Sequence, residues 1–323
     1  MKNSDVLEST RIGGNTGAHA PLGMGTSFYG ISDWTAGFLL DTLRFAVEAG
    51  ITHIDTADGY GNGESEKLIG RFLQEDRSRR DNLFIASKTN IDEMSAVAML
   101  RRVEDSLVRL KTDVIDLYYI HWPRSGHDMR PLMEGLEKAR SQGKIRAVGV
   151  SNFTVAQMKQ LAEVGNIDAH QLGYNLLWRV AEAKILPYCY ENKIAVVAYS
   201  ALAHGILSGN YEKTLTFSPD DQRWNILHFQ DKVWASIYDD VQQMKQISAS
   251  LNYSLPQLAL RWLLHQPAVQ AVLVSAKSPQ QARDNAAALK GTIPESVFSK
   301  LTDISDLAVQ KLPSESNPFG YNP

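Results

Sequence analysis

Thr52-His-Ile-Asp55, Leu83-Phe-Ile-Ala86 and Ile115-Asp-Leu-Tyr-Tyr-Ile120 are three short aliphatic runs separated by helix-like intervals. Each has the length and β-branched content of a strand buried on both faces. The interval from Val97 to Leu110 shows the helical period, with Leu100, Val103, Leu107 and Leu110 on one stripe. Working outward, Leu22-Gly-Met-Gly25 precedes the three runs. Ile145-Arg-Ala-Val-Gly-Val150, Ala169-His-Gln-Leu172, Ala195-Val-Val-Ala198 and Ala271-Val-Leu-Val274 follow them. A further helical segment, Leu255 to Leu264, carries Pro256 in its first turn, where a missing N–H costs nothing. Eight strand-helix units in succession predict an α/β fold, a single (β/α)8 TIM barrel with its active site at the carboxyl ends of the strands. A doubly wound open sheet is the alternative.

The 323 residues contain no linker, so one barrel domain is expected over 1–323, ending in an irregular polar tail at about 314–323. One stretch breaks the rhythm, Ser208 to Lys232, where Pro219, Asp220 and Asp221 accompany Trp224 and Phe229. Irregular stretches of this length in compact domains often serve as lids or binding loops. Lys and Arg number 33 against 36 Asp and Glu, a formal net charge of −3 with no block of like charge, which argues against nucleic acid as a partner. The apolar run near Ile194 to Leu202 is too short to cross a bilayer, which takes roughly 20 residues. A lone cysteine, Cys189, cannot form an internal disulfide, and Met1 to Thr10 lacks the pattern of a secretory signal, so a cytoplasmic location is expected. Cys189 has no activating neighbour in sequence and reads as a structural thiol. No obligate protein partner is evident.

In a parallel barrel the reactive groups gather at strand carboxyl ends. Asp55 ends His53-Ile-Asp55, Tyr60 follows in the next loop, Lys88 ends Phe84-Ile-Ala-Ser-Lys88, and His121 ends Leu117-Tyr-Tyr-Ile-His121. Singly, each has an ordinary structural use: a helix cap, a loop aromatic, a solvated strand end, a satisfied core histidine. Together they fall on consecutive βα units and make chemical sense. A phenol with a pKa near ~10 donates a proton poorly unless its ionised form is stabilised. Lys88 beside Tyr60 supplies the stabilising charge, Asp55 keeps Lys88 in place, and His121 holds a substrate oxygen. The set suits proton donation to a carbonyl oxygen while hydride reaches its carbon.

Asp55-Thr-Ala-Asp-Gly-Tyr60-Gly, Ser87-Lys88 and Ile120-His121-Trp-Pro resemble the motifs of the aldo-keto reductase family. The resemblance continues through Gly149-Val-Ser-Asn-Phe153, Gln171-Leu-Gly-Tyr-Asn175, Ala198-Tyr-Ser-Ala-Leu202 and Val274-Ser-Ala-Lys-Ser-Pro279 to Asp284-Asn285, nearly the whole chain. It implies reversible NADPH-dependent reduction of aldehydes or ketones, with Asp55, Tyr60, Lys88 and His121 catalytic. An NADP-binding regulatory or sensor protein of the same family, with little turnover, is the alternative. A G-x-G-x-x-G fingerprint is missing, since Phe28 stands where its third glycine would fall after Gly23-Met-Gly25. The resemblance implies an extended NADP across the barrel mouth instead. Gly25, Thr26 and Asp55 would lie near the nicotinamide ribose, Ser151, Asn152 and Gln171 would bind the carboxamide, and Tyr199 would stack on the ring. Ser200, Leu202, Gly205 and Leu207 would line the pyrophosphate path, with a core role for the two leucines equally plausible physically. Lys277 and Ser278, before a helix start at Pro279, suit a 2′-phosphate, while Gln281 and Asn285 would contact adenosine. Many family members carry Pro-Gly where this chain has Val274-Ser275, and arginine in place of Ser278.

Phe28, Tyr29, Trp34, Trp122 and Trp224 are candidates for the substrate wall, and an aromatic wall favours an apolar or planar carbonyl compound. Trp178 and Trp262 read as packing residues. Two other chemistries fit parts of the pattern. A metal-dependent hydrolase could use His53, Asp55 and His121, but later strand ends offer Ser151, Asn175, Ser200 and Ser275, a poor ligand set, so no metal is expected. A Schiff-base aldolase could use Lys88 without any nicotinamide.

Overall fold

In the computed structural model, which describes residues 7–29 and 34–313, eight parallel strands close into a barrel in chain order, the last pairing with the first. The strands are β1 (Leu22–Gly25), β2 (His53–Asp55), β3 (Phe84–Thr89), β4 (Ile115–Ile120), β5 (Ile145–Ser151), β6 (Ala169–Gly173), β7 (Ala195–Tyr199) and β8 (Val269–Val274). Around them run α1 (Ala36–Glu48), α2 (Glu64–Glu75), α3 (Ala96–Leu110), α4 (Arg130–Ser141), α5 (Val155–Leu161) and α6 (Ile185–Glu191). Both α7 (Asp231–Ala249) and α8 (Leu255–Leu264) lie between β7 and β8, while α9 (Pro279–Ala286) and α10 (Glu295–Lys311) follow β8. The tail expected at 314–323 and the start of the chain, 1–6, lie outside the described residues.

The strands are apolar on both faces because each face has its own core. Outward residues such as Ile54, Ile85, Tyr118, Val148, Val150 and Val272 pack beneath the helices. Inward residues form a second core of Ile12, Phe84, Ala86, Leu117, Tyr119, Ala147, Ala169, Ala195, Val197, Ala271 and Leu273. Ile12 enters this core from a short segment closed by the antiparallel Thr10–His19 bridge. Space for the large inward rings comes from glycine: a Cβ on Gly149 would come within 2.3 Å of the Tyr119 ring, and one on Gly173 within 1.8 Å of the Trp178 ring.

Side chains alternate along a strand, so the inward parity that fills the core also selects what reaches the mouth. Phe84 and Ala86 lead to Lys88, Leu117 and Tyr119 to His121, Ala147 and Gly149 to Ser151, Ala169 to Gln171, and Ala195 and Val197 to Tyr199. Pairing is parallel and in register at the level that matters, Gly25 opposite Asp55 and Ser151 opposite Gln171. The polar strand ends are thereby directed into one shared mouth.

Helix starts follow local chemistry. Ser95 caps α3 by accepting from the Ala98 N–H, and Ser254 with Gln257 forms a capping box at α8, where Pro256 sits in the first turn. The stretch from Ser208 to Lys232 is irregular, as its composition predicts. It contains only single turns of 3-10 helix, 222–225 and 227–229, before α7 begins at Asp231. It is nonetheless packed: Tyr211 lies edge-on to Phe217 and Phe229, and the Arg223 guanidinium sits 3.8 Å above the Phe217 ring.

Candidate active site

Beyond β2 the chain continues alongside β3, with the Thr56 and Asp58 N–H groups donating to the Ala86 and Lys88 carbonyls. It then turns through Gly61, Asn62 and Gly63, all with positive φ, into α2. A left-handed run of this kind is cheap for glycine and tolerable for asparagine. The turn places Tyr60 over Lys88.

Lys88 is fully buried, and its three ammonium protons have three acceptors: Asp55 Oδ1 at 2.5 Å, the Thr56 carbonyl at 2.7 Å and the Tyr60 hydroxyl at 3.3 Å. Burial works to lower its pKa, but Asp55 and Tyr60 outweigh burial and raise it above the ordinary lysine value. Asp55 shows the reverse balance, raised by burial while Lys88 and Gln171 pull it back. Tyr60 is also raised, because burial outweighs the stabilising charge of Lys88. The sequence predicts Lys88 to depress the phenol. Its influence has that sign, yet the phenol in this site remains a protonated acid. Since Tyr60 accepts from Lys88, its own proton is free to point away from the lysine.

His121 meets Tyr60 edge-on, ring centroids 5.9 Å apart, and Trp122 stacks beside it at 6.3 Å. Burial, with Lys88 nearby, lowers the His121 imidazole to a pKa of about 3. It is therefore neutral and offers a hydrogen bond without a charge. The four residues picked from strand ends thus converge.

The residues expected around a cofactor divide into two sets. Ser151, Asn152 and Gln171 are buried together at the lumen mouth. Asn152, at a φ of 66°, donates to the His121 carbonyl and to Ser151, and accepts from the Tyr199 hydroxyl at 2.7 Å. Gln171 donates to Asp55 Oδ2 at 2.8 Å. Ser200 holds a positive φ, pinned by Asn175, whose amide donates to the Ser200 carbonyl at 2.9 Å. Gly205 likewise has a positive φ, of 95°. Gly25 sits beside Ser275, whose hydroxyl donates to its carbonyl at 2.9 Å. Lys277 is exposed, Ser278 caps α9, the Gln281 side chain accepts from the Lys277 N–H, and Asn285 donates to the Ser275 carbonyl.

In the second set, several side chains are engaged in packing. Thr26 is fully buried, its hydroxyl donating to the Asp55 carbonyl and contacting Ser65 at 2.8 Å, and its main-chain N–H and carbonyl are bonded to Asp55 and Tyr29. Leu207 is buried in the outer core and Leu202 packs against it, the packing role that aliphatic side chains favour. Among the expected wall aromatics, Tyr29 is fully buried with its hydroxyl on the Leu39 carbonyl; it belongs to the core under α1 and lines nothing. Phe28 and Trp34 form an edge-on pair, half-buried, 5.1 Å apart. Trp224 packs on Phe217 within its own loop, its indole N–H on the Ser218 carbonyl. Trp178 and Trp262 are packing residues, Trp178 edge-on to Tyr199.

A support layer behind the four residues escaped sequence reading. Ser65 bridges Thr26 and Thr56 by hydroxyl contacts of 2.8 Å each. Glu66, wholly buried, accepts from Ser87 and Arg109 at 2.5 Å each. The available signal was a pair of polar residues, Ser65 and Glu66, on the apolar stripe of α2.

Comparison with known proteins gives the family. The model of the aldo/keto reductase family matches residues 21–306. Aldo-keto reductase YhdN of Bacillus subtilis is 36% identical over 85% of this chain and 83% of its own. The NADH-specific methylglyoxal reductase of Escherichia coli is 30% identical over 83% of this chain and 87% of its own. Among solved structures, a glycerol dehydrogenase from Gluconobacter oxydans superposes with a TM-score of 0.85 at 29% identity, covering 98% of both chains. An aldo-keto reductase from Klebsiella pneumoniae in complex with NADPH gives a TM-score of 0.75 at 26% identity, over 97% of this chain and 98% of that one. This chain belongs to the aldo/keto reductase family and is an oxidoreductase.

Proposed function

We propose that this aldo/keto reductase reduces a small aldehyde or ketone with NADPH, Tyr60 giving the proton and Asp55, Lys88 and His121 completing the catalytic group. The observation that carries this is the saturated Lys88 ammonium, with Asp55, Thr56 and Tyr60 as its three acceptors. NADPH supplies the hydride. The mouth fits a nicotinamide, since buried Ser151, Asn152 and Gln171 offer amide and hydroxyl groups at the lumen edge and Tyr199 provides an aromatic face. Lys277, at the start of α9, would meet the 2′-phosphate. His121, being neutral, orients the carbonyl oxygen toward the Tyr60 proton, and the cation on Lys88 offsets the charge left on the phenolate. Phe28, Trp34 and Trp122 would supply the apolar surroundings, while Trp224 packs on Phe217 within its own loop. The same geometry disfavours the other chemistries. A protonated lysine with every proton engaged is a poor Schiff-base nucleophile, and both oxygens of Asp55 already carry donors. The buried thiol of Cys189, pushed up to about 12 by burial, is unreactive and suits the reducing cytoplasm.

The test is single-turnover oxidation of bound NADPH by a panel of aldehydes and ketones, wild type against Tyr60→Phe. NADPH binding should survive the substitution while turnover drops by about 10²–10⁴-fold, the usual worth of a positioned acid. Near wild-type turnover in Tyr60→Phe would remove Tyr60 from the mechanism. Binding without turnover by any carbonyl compound would favour a sensor.

A further inference from the structure

Asp55 is held from two sides of the barrel. Lys88 on β3 engages Oδ1, and Gln171, 116 residues along on β6, engages Oδ2. Asp55, Lys88 and Gln171 are 2%, 0% and 3% exposed, so neither oxygen can rely on solvent. A carboxylate sealed in this way needs a donor on each oxygen, and Gln171 fills the place that Lys88 cannot reach. The Gln171 amide has two N–H hydrogens and one acceptor oxygen. One hydrogen is on Asp55 and the amide also favours the ionised form of Tyr119 by a hydrogen bond, which leaves the oxygen Oε1 for the mouth.

We propose that Gln171 is a positioning residue for proton transfer, its amide holding the Asp55 carboxylate onto Lys88 while the other end of the same amide faces the nicotinamide pocket. This rests on the catalytic assignment above. Without the Gln171 donor, Asp55 would protonate more readily, since burial already favours its neutral form. Lys88 would then lose its anion and Tyr60 the cation that supports its phenolate. The other groups facing the carboxylate are Tyr60 from the turn, Tyr119 on β4 and His53 on β2. Tyr119 is raised by burial and then by Asp55, whereas His53 is lowered by burial and then by His19 and Lys88. Both shifts favour the neutral forms of these two groups, which leaves Asp55 to set the acid side of the rate profile.

The experiment measures single-turnover rates against pH and NADPH affinity by fluorescence for wild type, Gln171→Met, Gln171→Glu and Asp55→Asn. Gln171→Met keeps the size and removes the donor. Its rate should fall about 10–100-fold, the worth of a charge-assisted hydrogen bond, and its acidic limb should move to higher pH. Gln171→Glu keeps a donor only while the two carboxyls share a proton, so its alkaline limb should move to lower pH. Opposite displacements of opposite limbs are not what a packing defect produces, and Gln171→Glu, isosteric with the native residue, carries the test alone should the Met variant fail to fold. Weakened NADPH binding with both limbs unmoved would overturn the proposal and leave Gln171 a cofactor ligand only. An Asp55→Asn enzyme with wild-type rate and limbs would instead defeat the catalytic assignment itself.

Discussion

Lys88 lies where a lysine is rarely tolerated, at the centre of a barrel with no solvent contact, and it persists because three acceptors surround it. That arrangement separates the two lysines expected to matter. Lys88 is charged and fixed, while Lys277 is exposed at the other end of the mouth, beside the α9 N-terminus. Lys277 has a nearby anion, since its charge contributes to holding Asp221 down at a pKa of about 2, a depression due mainly to Arg223. A 2′-phosphate would compete with Asp221 for this cation. Lys277→Ala should therefore weaken NADPH by about tenfold and NADH far less, because only NADPH carries the phosphate. The difference should shrink at high ionic strength, as expected of an exposed charge. Fluorescence titration of both cofactors at low and high salt checks this, and equal losses for the two would assign Lys277 to the shared part of the dinucleotide or to structure.

At the level of elements, Ser208 to Lys232 joins β7 to α7 by a path the barrel does not require. Its interior is an aromatic cluster of Tyr211, Phe217 and Phe229 extended by Trp234, while Asp221, Arg223 and Trp224 form a rim in which Asp221 feels the charge of Lys277. The rim should gain hydrogen-exchange protection when NADP binds, with the aromatic base unchanged, and turnover of good substrates should show a burst of NADPH oxidation before a slower step. Equal exchange with and without NADP, and no burst, would make this a static packed loop. All eight strands were legible in the sequence because apolar runs of strand length are bounded by turn residues. Their ends were not. The apolar run of β3 stops at Ala86 and its reading as a strand ends at Lys88, whereas pairing runs on through Thr89, since acceptors from β2, the Tyr60 turn and α2 satisfy the polar groups of Ser87, Lys88 and Thr89. Three of the four proposed catalytic residues, Asp55, Lys88 and His121, were legible by the same logic, as polar groups continuing an inward parity, and Tyr60 by its place in the loop after β2. Tyr29 was misplaced because an aromatic residue one turn past β1 can point either way, and only the packing of α1 decides. The hydroxyl bridge of Thr26, Thr56 and Ser65 was invisible because it needs three segments to meet.

Across the whole molecule, four histidines are buried among the described residues: His19, His53, His170 and His228. His53 lies in the lower lumen, edge-on to His19 at 5.0 Å and to Phe84 at 4.7 Å, with neither ring nitrogen hydrogen-bonded to a described residue. His170 is fully buried on the outer face of β6, accepting from the Phe153 N–H at 3.1 Å just past the Ser151-Asn152 turn. Burial lowers His170 to about 3 and His53 well below the ordinary value. His19 and His228 are lowered as well. A histidine depressed in the folded state contributes stability that is whole above its unfolded pKa of about 6.5 and is lost as pH falls toward the folded value. Each fully neutral site should cost about 1.4 kcal/mol per pH unit below that point, because the unfolded chain takes up a proton that the folded chain refuses. Asp55, Asp58 and Asp168 are raised by burial and act with the opposite sign, over a window that opens upward from the unfolded carboxylate pKa. Between pH 6.5 and 5 the histidines should dominate, and the melting temperature should fall steadily across that window while the net charge of the chain changes little. Replacing His170 with Gln, which keeps an acceptor for the Phe153 N–H and cannot titrate, should flatten the slope by one proton's worth. A melting temperature constant from pH 6.5 to 5, or a slope unaltered in His170→Gln, would show that these histidines take up protons in the folded protein and that water reaches the core around them.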